Sequence, residues 1–239
     1  MNTDYIRDEQ QKIIDEINNI KWDNHDIKPI SDGIVDIESY LNADLKIMWI
    51  NKEVNSTEED ADWNLRDVLS VLRTDDGVVK GWAGTFNPII YTVYGILNDK
   101  NWKDIPDTWV APEIIDCLKQ IAYVNVKKIP GGAVASKQDL NSFYKEFESI
   151  LERQITLFNP DIIICGSTYG IIEDTLYRIY DEKRKLKFKI DNSDKRTVFF
   201  KNKEVLIVDA LHPNSRMNKQ DYCDGIINGV LQWKMKRFN

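Results

Sequence analysis

Three polar residues stand just beyond apolar runs that read as buried strands. The run Leu45-Lys46-Ile47-Met48-Trp49-Ile50 ends in Asn51-Lys52-Glu53-Val54-Asn55. The run Ile121-Ala122-Tyr123-Val124-Asn125-Val126 carries Asn125 near its end, with Lys127 and Lys128 beyond it. Val205-Leu206-Ile207-Val208 delivers the chain to His212-Pro213-Asn214-Ser215-Arg216. A carboxylate can orient water or stabilise positive charge, an amide offers a paired donor and acceptor, and an imidazole can donate or accept a proton. If the runs are parallel strands of one sheet, these groups converge on its carboxyl edge, where such sheets bind ligands.

Each group also has a plain structural reading. Glu53 lies near Glu58, Glu59, Asp60 and Asp62, as a solvated acidic loop would. Asn125 is of the type that bridges backbone groups at strand ends, and His-Pro after a strand is a common turn. His25, the other histidine, reads as a surface residue. Gly166-Ser167-Thr168-Tyr169-Gly170 lacks the spacing and the Lys of a phosphate-binding loop, which argues against a nucleoside triphosphatase.

The elements that must position these residues are legible as hydrophobic periods. Ile6, Ile13, Ile14, Ile17 and Ile20 fall at helical intervals, so residues 3–22 read as an amphipathic surface helix. The tryptophan-rich stretch 51–112 is irregular, with short helices expected at residues 64–72 and 89–97. Ser136 is an N-cap with Asp139 three residues on, and Leu140, Phe143, Tyr144, Phe147, Ile150, Leu151 and Ile155 continue a helix that stops before Asn159-Pro160. Residues 161–165 form a third strand, followed by a helix over 171–180. Residues 185–190 and 196–200 suggest a hairpin turning at 191–194, and residues 219–236 a final helix. Strands separated by long helices imply an α/β fold: three layers, α/β/α, around a central, mainly parallel four-stranded sheet. The expected organisation is one domain over residues 1–239, with residues 1–44 as a helical extension and 45–239 as the core.

Composition narrows the class. The chain has 239 residues, 42% of them hydrophobic, enough for a packed core. Its apolar runs are strand-sized, far from the roughly 20 residues that cross a bilayer, so no membrane partner is expected. The polar start lacks the pattern of a secretory signal, and three dispersed cysteines fit neither a disulfide framework nor a zinc site. A cytoplasmic monomer is expected. With 39 acidic against 32 basic side chains the net charge is −7, which argues against coating nucleic acid in bulk but allows a local basic groove.

Taken in order, the strand-end segments resemble the uracil-DNA glycosylase superfamily. Asn51-Lys52-Glu53-Val54-Asn55 matches loosely a first motif of the Gly-Gln-Asp-Pro-Tyr or Gly-Glu-Ala-Pro-Gly type. Tyr123-Val124-Asn125-Val126-Lys127-Lys128-Ile129-Pro130-Gly131-Gly132 resembles a strand of the Tyr-Ile-Thr-Asn-Val-Val-Lys-Cys-Arg-Pro-Pro-Gly type. Pro160-Asp161-Ile162-Ile163-Ile164-Cys165-Gly166 looks like Pro-Lys-Val-Ile-Val-Ala-Leu-Gly. His212-Pro213-Asn214-Ser215-Arg216 approximates His-Pro-Ser with a following Arg. The likeness spans roughly residues 45–238 and rests on the order of the motifs.

The resemblance implies hydrolysis of the N-glycosidic bond of a uracil or modified base rotated out of DNA into a fitted pocket. It assigns Glu53 and His212 to catalysis, Asn125, Asn51 and Phe86 to the base, and Lys127, Lys128, Ser215 and Arg216 to phosphates, with DNA as partner. No metal or other cofactor is expected, because the iron-sulfur branch needs four cysteines and the three here do not fit the ligand pattern. The first motif lacks Gly and Pro, Glu stands for Asp, and Asn214 replaces Ser. Two other readings compete: a non-catalytic binder of a nucleotide or modified base on the same fold, and an enzyme acting on a free nucleoside or nucleotide.

Overall fold

The four apolar runs form the middle of a sheet covered on both faces, which is why they read as continuous rather than alternating. The computed structural model describes residues 2–21, 28–54, 63–131, 137–180, 186–187, 197–201 and 205–237. In chain order the elements are α1 (Thr3–Asn18), β1 (Gly33–Ile34), α2 (Ile37–Asn42), β2 (Ile47–Asn51), α3 (Leu65–Ser70), β3 (Arg73–Thr74), β4 (Gly77–Val78), α4 (Ala83–Leu97), β5 (Ile121–Asn125), α5 (Lys137–Phe158), β6 (Ile162–Gly166), α6 (Tyr169–Tyr180), β7 (Leu186–Lys187), β8 (Val198–Lys201), β9 (Leu206–Ala210) and α7 (Lys219–Arg237). A 3₁₀ segment over Pro112–Gln120 leads into β5. His25, the Ser136 cap and the 191–194 turn lie outside the described residues.

The fold is α/β, but the sheet is not four-stranded. It has seven strands in the order β1-β5-β2-β6-β9-β8-β7. The expected strands β5, β2, β6 and β9 are mutually parallel. Antiparallel strands extend both edges: β1 pairs with β5, and β8 and β7 continue beyond β9. The sheet is therefore mixed. β1 has only two residues, too few to show a period, and the hairpin strands lie on an edge, where pairing rather than apolar content defines them.

Alternation along the central strands feeds two cores. Trp49, Tyr123, Ile164 and Val208 face α3, α4 and α7. Met48, Ile50, Val124, Ile163 and Cys165 face α1, α2, α5 and α6. Each such aliphatic or aromatic side chain contributes about 1.5–3 kcal/mol when fully buried. The N-terminal residues are part of this packing rather than an appendage: Ile6 and Tyr40 are fully buried, and Gly33 registers with Tyr123. α1 ends at Asn18, four residues before the expected limit, where the Asn19 side chain takes the Asp15 carbonyl. α4 starts at Ala83, upstream of the expected residue 89, and runs through Pro88. Asn64 caps α3 by accepting from the Arg66 amide.

The chain passes from β2 outward to β5, then returns across β2 to β6 and on to β9. The direction of travel thus reverses between β2 and β6. In open α/β sheets the crevice at such a reversal, outside the carboxyl ends of the strands, is where ligands sit.

Candidate functional site

β2 and β5 end in direct register, with Asn51 opposite Asn125, and like side chains of parallel neighbours share a face. The ladder continues past both strands: Val126 donates to the Asn51 carbonyl and Lys127 to that of Lys52, each at 2.9 Å. This carries Glu53 and Lys127 out side by side, and the Lys127 ammonium lies 3.3 Å from Glu53 Oε2. The same ammonium sits 4.3 Å from the centre of the Phe143 ring. Gly131 is laid against the pair, since a β-carbon there would stand 2.8 Å from Lys127 Nζ and 3.1 Å from Glu53 Cδ.

The Asn51 amide lies across the strand tips. Its Nδ2 donates to the Tyr123 hydroxyl at 2.8 Å, and burial holds that phenol well above its usual pKa, so it stays neutral. Its Oδ1 occupies the space above Gly166, where a β-carbon would come within 2.0 Å. The fit therefore requires glycine at the end of β6. The same point lies 3.3 Å from Pro213, which brings the His212 loop to this place.

His212 is held from several sides. Its backbone N–H donates to Ser167 Oγ at 2.8 Å, and Ser167 adopts a left-handed conformation with φ of 62° directly after β6. Such strain persists only where surrounding contacts enforce it; here the Ser167 amide donates to the Ala210 carbonyl and Thr168 Oγ1 donates to the Ile50 carbonyl. The Asn214 amide donates to His212 Nδ1 at 3.2 Å, which selects the tautomer with the proton on Nε2. Burial, with the cations Lys52 and Lys219 nearby, lowers the imidazole pKa from 6.5 to about 4. At neutral pH His212 is thus an uncharged donor through Nε2. Lys219 ties the loop by donating to the Pro213 and Ser215 carbonyls at 2.6 and 3.0 Å.

Among the described residues, five buried side-chain polar atoms lack a hydrogen-bond partner: Trp49 Nε1, Asn51 Oδ1, Glu53 Oε2, Asn101 Oδ1 and Asn125 Oδ1. Three of them are at the ends of β2 and β5. The Glu53–Lys127 contact is close enough for ionic attraction but lacks hydrogen-bond geometry. Leaving a buried polar group without a hydrogen bond costs about 1–3 kcal/mol, so a concentration of three such atoms calls for an explanation beyond packing.

Not all expected site residues belong here. Lys128 is a correction: it is fully buried, and its ammonium contacts Asp32 at 2.7 and 2.9 Å and Gln154 at 2.9 Å, away from any phosphate-accessible surface. Phe86 is only 2% exposed and packs on Tyr123, so it supports the floor of the site rather than offering a free face to a base. Trp82 lies beyond it with ring centres 5.5 Å apart, and Trp63 follows at 6.1 Å; both are half-buried. Ser215 is half-buried in the His212 turn, and Arg216 is exposed on the same loop. The tryptophans were visible as types but not as a row of rings leading from Phe86. Asp32 had no sequence signal: its Oδ2 accepts from the Asn125 amide at 2.8 Å, fixing the backbone that carries Asn125.

Among the described residues no cluster of three or more His, Cys, Asp or Glu is placed to hold a metal. A separate cavity of about 430 Å³, lined by Gln11, Ile14, Ser31, Trp63 and Asn64 among others, borders α1 and α3 and includes none of the unpaired atoms. No helix among the described residues is long and apolar enough to cross a membrane. Compared with models of protein families and with curated proteins, the chain matches none.

Proposed function

We propose that this chain is a DNA glycosylase of the uracil-DNA glycosylase type, hydrolysing the N-glycosidic bond of a uracil or modified base turned out of DNA. The observation that carries the reading is the set of buried Asn51, Glu53 and Asn125 oxygens without hydrogen-bond partners on adjacent strand ends, with a neutral imidazole delivered to the same sheet edge.

In the reaction the C1′–N bond breaks, its electron pair leaves with the base, and water adds to C1′, its second proton ending on the base. Positive charge grows on the sugar and negative charge on the base, so catalysis is chiefly electrostatic. Glu53 stabilises the sugar cation or orients the water through its carboxylate, beside the Lys127 ammonium. His212 donates from Nε2 to a base carbonyl oxygen, a role that suits an imidazole held neutral. Asn125 and Asn51 read the base edge. Arg216, Ser215 and Lys127 are the candidates for phosphate contacts. The buried free cysteines Cys117, Cys165 and Cys223 accord with a reducing, cytoplasmic setting.

A non-catalytic reader on the same fold is the second reading. It is favoured by the Lys127 ammonium beside Glu53, which offsets the charge an oxocarbenium ion would need. The test is incubation with oligonucleotides carrying uracil, hypoxanthine, xanthine or hydroxymethylated bases, followed by alkali. Strand breaks at the modified position are expected; intact strands across the panel would favour the reader.

A further inference from the structure

A cation beside Glu53 opposes the positive charge that departure of a base puts on the sugar, so Lys127 needs a role other than charge balance. Its side chain is 12% exposed, whereas Arg216 is exposed and meets a phosphate more readily. The Lys127 ammonium lies 3.3 Å from Glu53 Oε2 and 4.3 Å from the centre of the Phe143 ring, and the contact with Glu53 lacks hydrogen-bond geometry. Two neighbouring lysines, by contrast, are tied by hydrogen bonds: Lys128 to Asp32 and Gln154, Lys219 to the Pro213 and Ser215 carbonyls. Gly131, pinned by its amide to the Val54 carbonyl at 3.0 Å, passes Lys127 without a side chain; a β-carbon there would stand 2.8 Å from Nζ. Charge, ring and backbone thus position the amine, and among the described residues no hydrogen-bond acceptor occupies it.

A positioned lysine amine beside a carboxylate is a reagent for carbonyl groups. Loss of the base leaves an abasic deoxyribose, whose opened form carries an aldehyde at C1′. Glu53 is the carboxylate assigned to C1′, so an amine 3.3 Å from it is within reach of that carbon. We infer, resting on the functional reading above, that Lys127 is a nucleophile that condenses with the C1′ aldehyde, and that the chain then cuts the strand by β-elimination. Glu53 takes a proton from the Lys127 ammonium, and the free amine adds to C1′ to give a carbinolamine. Glu53 returns its proton to the C1′ hydroxyl, which leaves as water as the C1′=N iminium forms. A carboxylate again, Glu53 removes a proton from C2′. The electron pair released there forms the C2′=C3′ bond as the C3′–O bond breaks, its own pair leaving with the phosphate, which takes up the Glu53 proton. Water then hydrolyses the iminium, freeing the unsaturated aldehyde and restoring the Lys127 ammonium.

Oligonucleotides carrying a preformed abasic site test this without any need for base release. The full chain is incubated with them, single- and double-stranded, with and without sodium borohydride, which reduces an iminium to a stable amine. Without borohydride the strand should break with no alkali added. With it, a covalent protein–DNA adduct should form, and peptide mass spectrometry should place the adduct on Lys127. Lys127→Arg keeps a cation beside Glu53 but cannot form the iminium, so it should lose both the adduct and the cleavage; circular dichroism and a thermal melt establish that it folds. No adduct with the wild type, an adduct on another amine, or an adduct and cleavage that persist in Lys127→Arg overturns the inference. The two readings fail separately. Uracil released from oligonucleotides with strand breaks only after alkali would leave the hydrolytic reading intact and overturn the role of Lys127. An adduct on Lys127 with preformed abasic sites, and no base released from any modified oligonucleotide, would remove the hydrolytic reading and leave the nucleophile standing.

Discussion

Two polar clusters are buried behind one another at the end of β5, and they are built to opposite rules. In the inner one, Asp32, Lys128 and Gln154 satisfy each other: Lys128 contacts both Asp32 oxygens and Gln154 Oε1, Gln154 Nε2 donates to Asp32 Oδ1 at 2.8 Å, and Asp32 Oδ2 takes the Asn125 amide. In the outer one, Asn51, Glu53 and Asn125 keep oxygens without hydrogen-bond partners. Burial pulls the Lys128 pKa down while Asp32 opposes the shift. A closed buried network fixes geometry; an open one leaves costly acceptors at the strand ends. The inner cluster thus positions the outer, through the single backbone bond from Asn125.

The sharpest way to break this contrast is to open the inner cluster. Lys128→Ala leaves the Asp32 carboxylate buried without its cation and should cost about 3–5 kcal/mol in a denaturant melt. A loss below about 1 kcal/mol would mean that the network is not closed. Next comes Gly166→Ala, which puts a β-carbon against Asn51 Oδ1. It should cost about 1–3 kcal/mol through forced displacement of the amide and should weaken nucleoside binding. Unchanged binding would show that the Asn51 amide is not part of the ligand site.

The pH dependence of His212 is a smaller effect. Its folded pKa of about 4 lies below the ordinary 6.5, so the unfolded chain takes up its proton first as pH falls. This part of the stability is intact above pH 6.5 and declines as pH falls from there toward about 4; His212→Ala should flatten that part of the curve. A titration of the imidazole by NMR near 6.5 would contradict the neutral tautomer. The smallest stability effect belongs to the outer cluster itself. Asn125→Leu removes an unpaired buried amide and should leave stability within about 1 kcal/mol of wild type, or raise it, while abolishing ligand binding. A large destabilisation would mark Asn125 as structural.

The contrast also explains what the sequence could and could not reveal. The four parallel strands were legible because strands buried on both faces are apolar throughout, and the residues after them were legible as a sheet edge. Lys128 was misread because a Lys beyond a strand normally faces water. Its partner Asp32 is 96 residues away and belongs to a segment whose only strand has two residues. Phe86 was misread for a related reason: an aromatic before Asn-Pro looks like a loop residue, yet α4 continues through Pro88 and buries it. Edge strands, set by pairing rather than by composition, left little trace in the hydrophobic pattern.

The central claim is that Glu53 and His212 act together on one bond. It is tested most directly by mass-spectrometric detection of free base released from modified oligonucleotides by the wild type, Glu53→Ala and His212→Ala, all shown to fold. Stoichiometric release by the wild type, reduced by about 100-fold or more in each variant, is the predicted result. Release that persists unchanged in either variant, or a wild type that binds the oligonucleotide and frees no base, would contradict it.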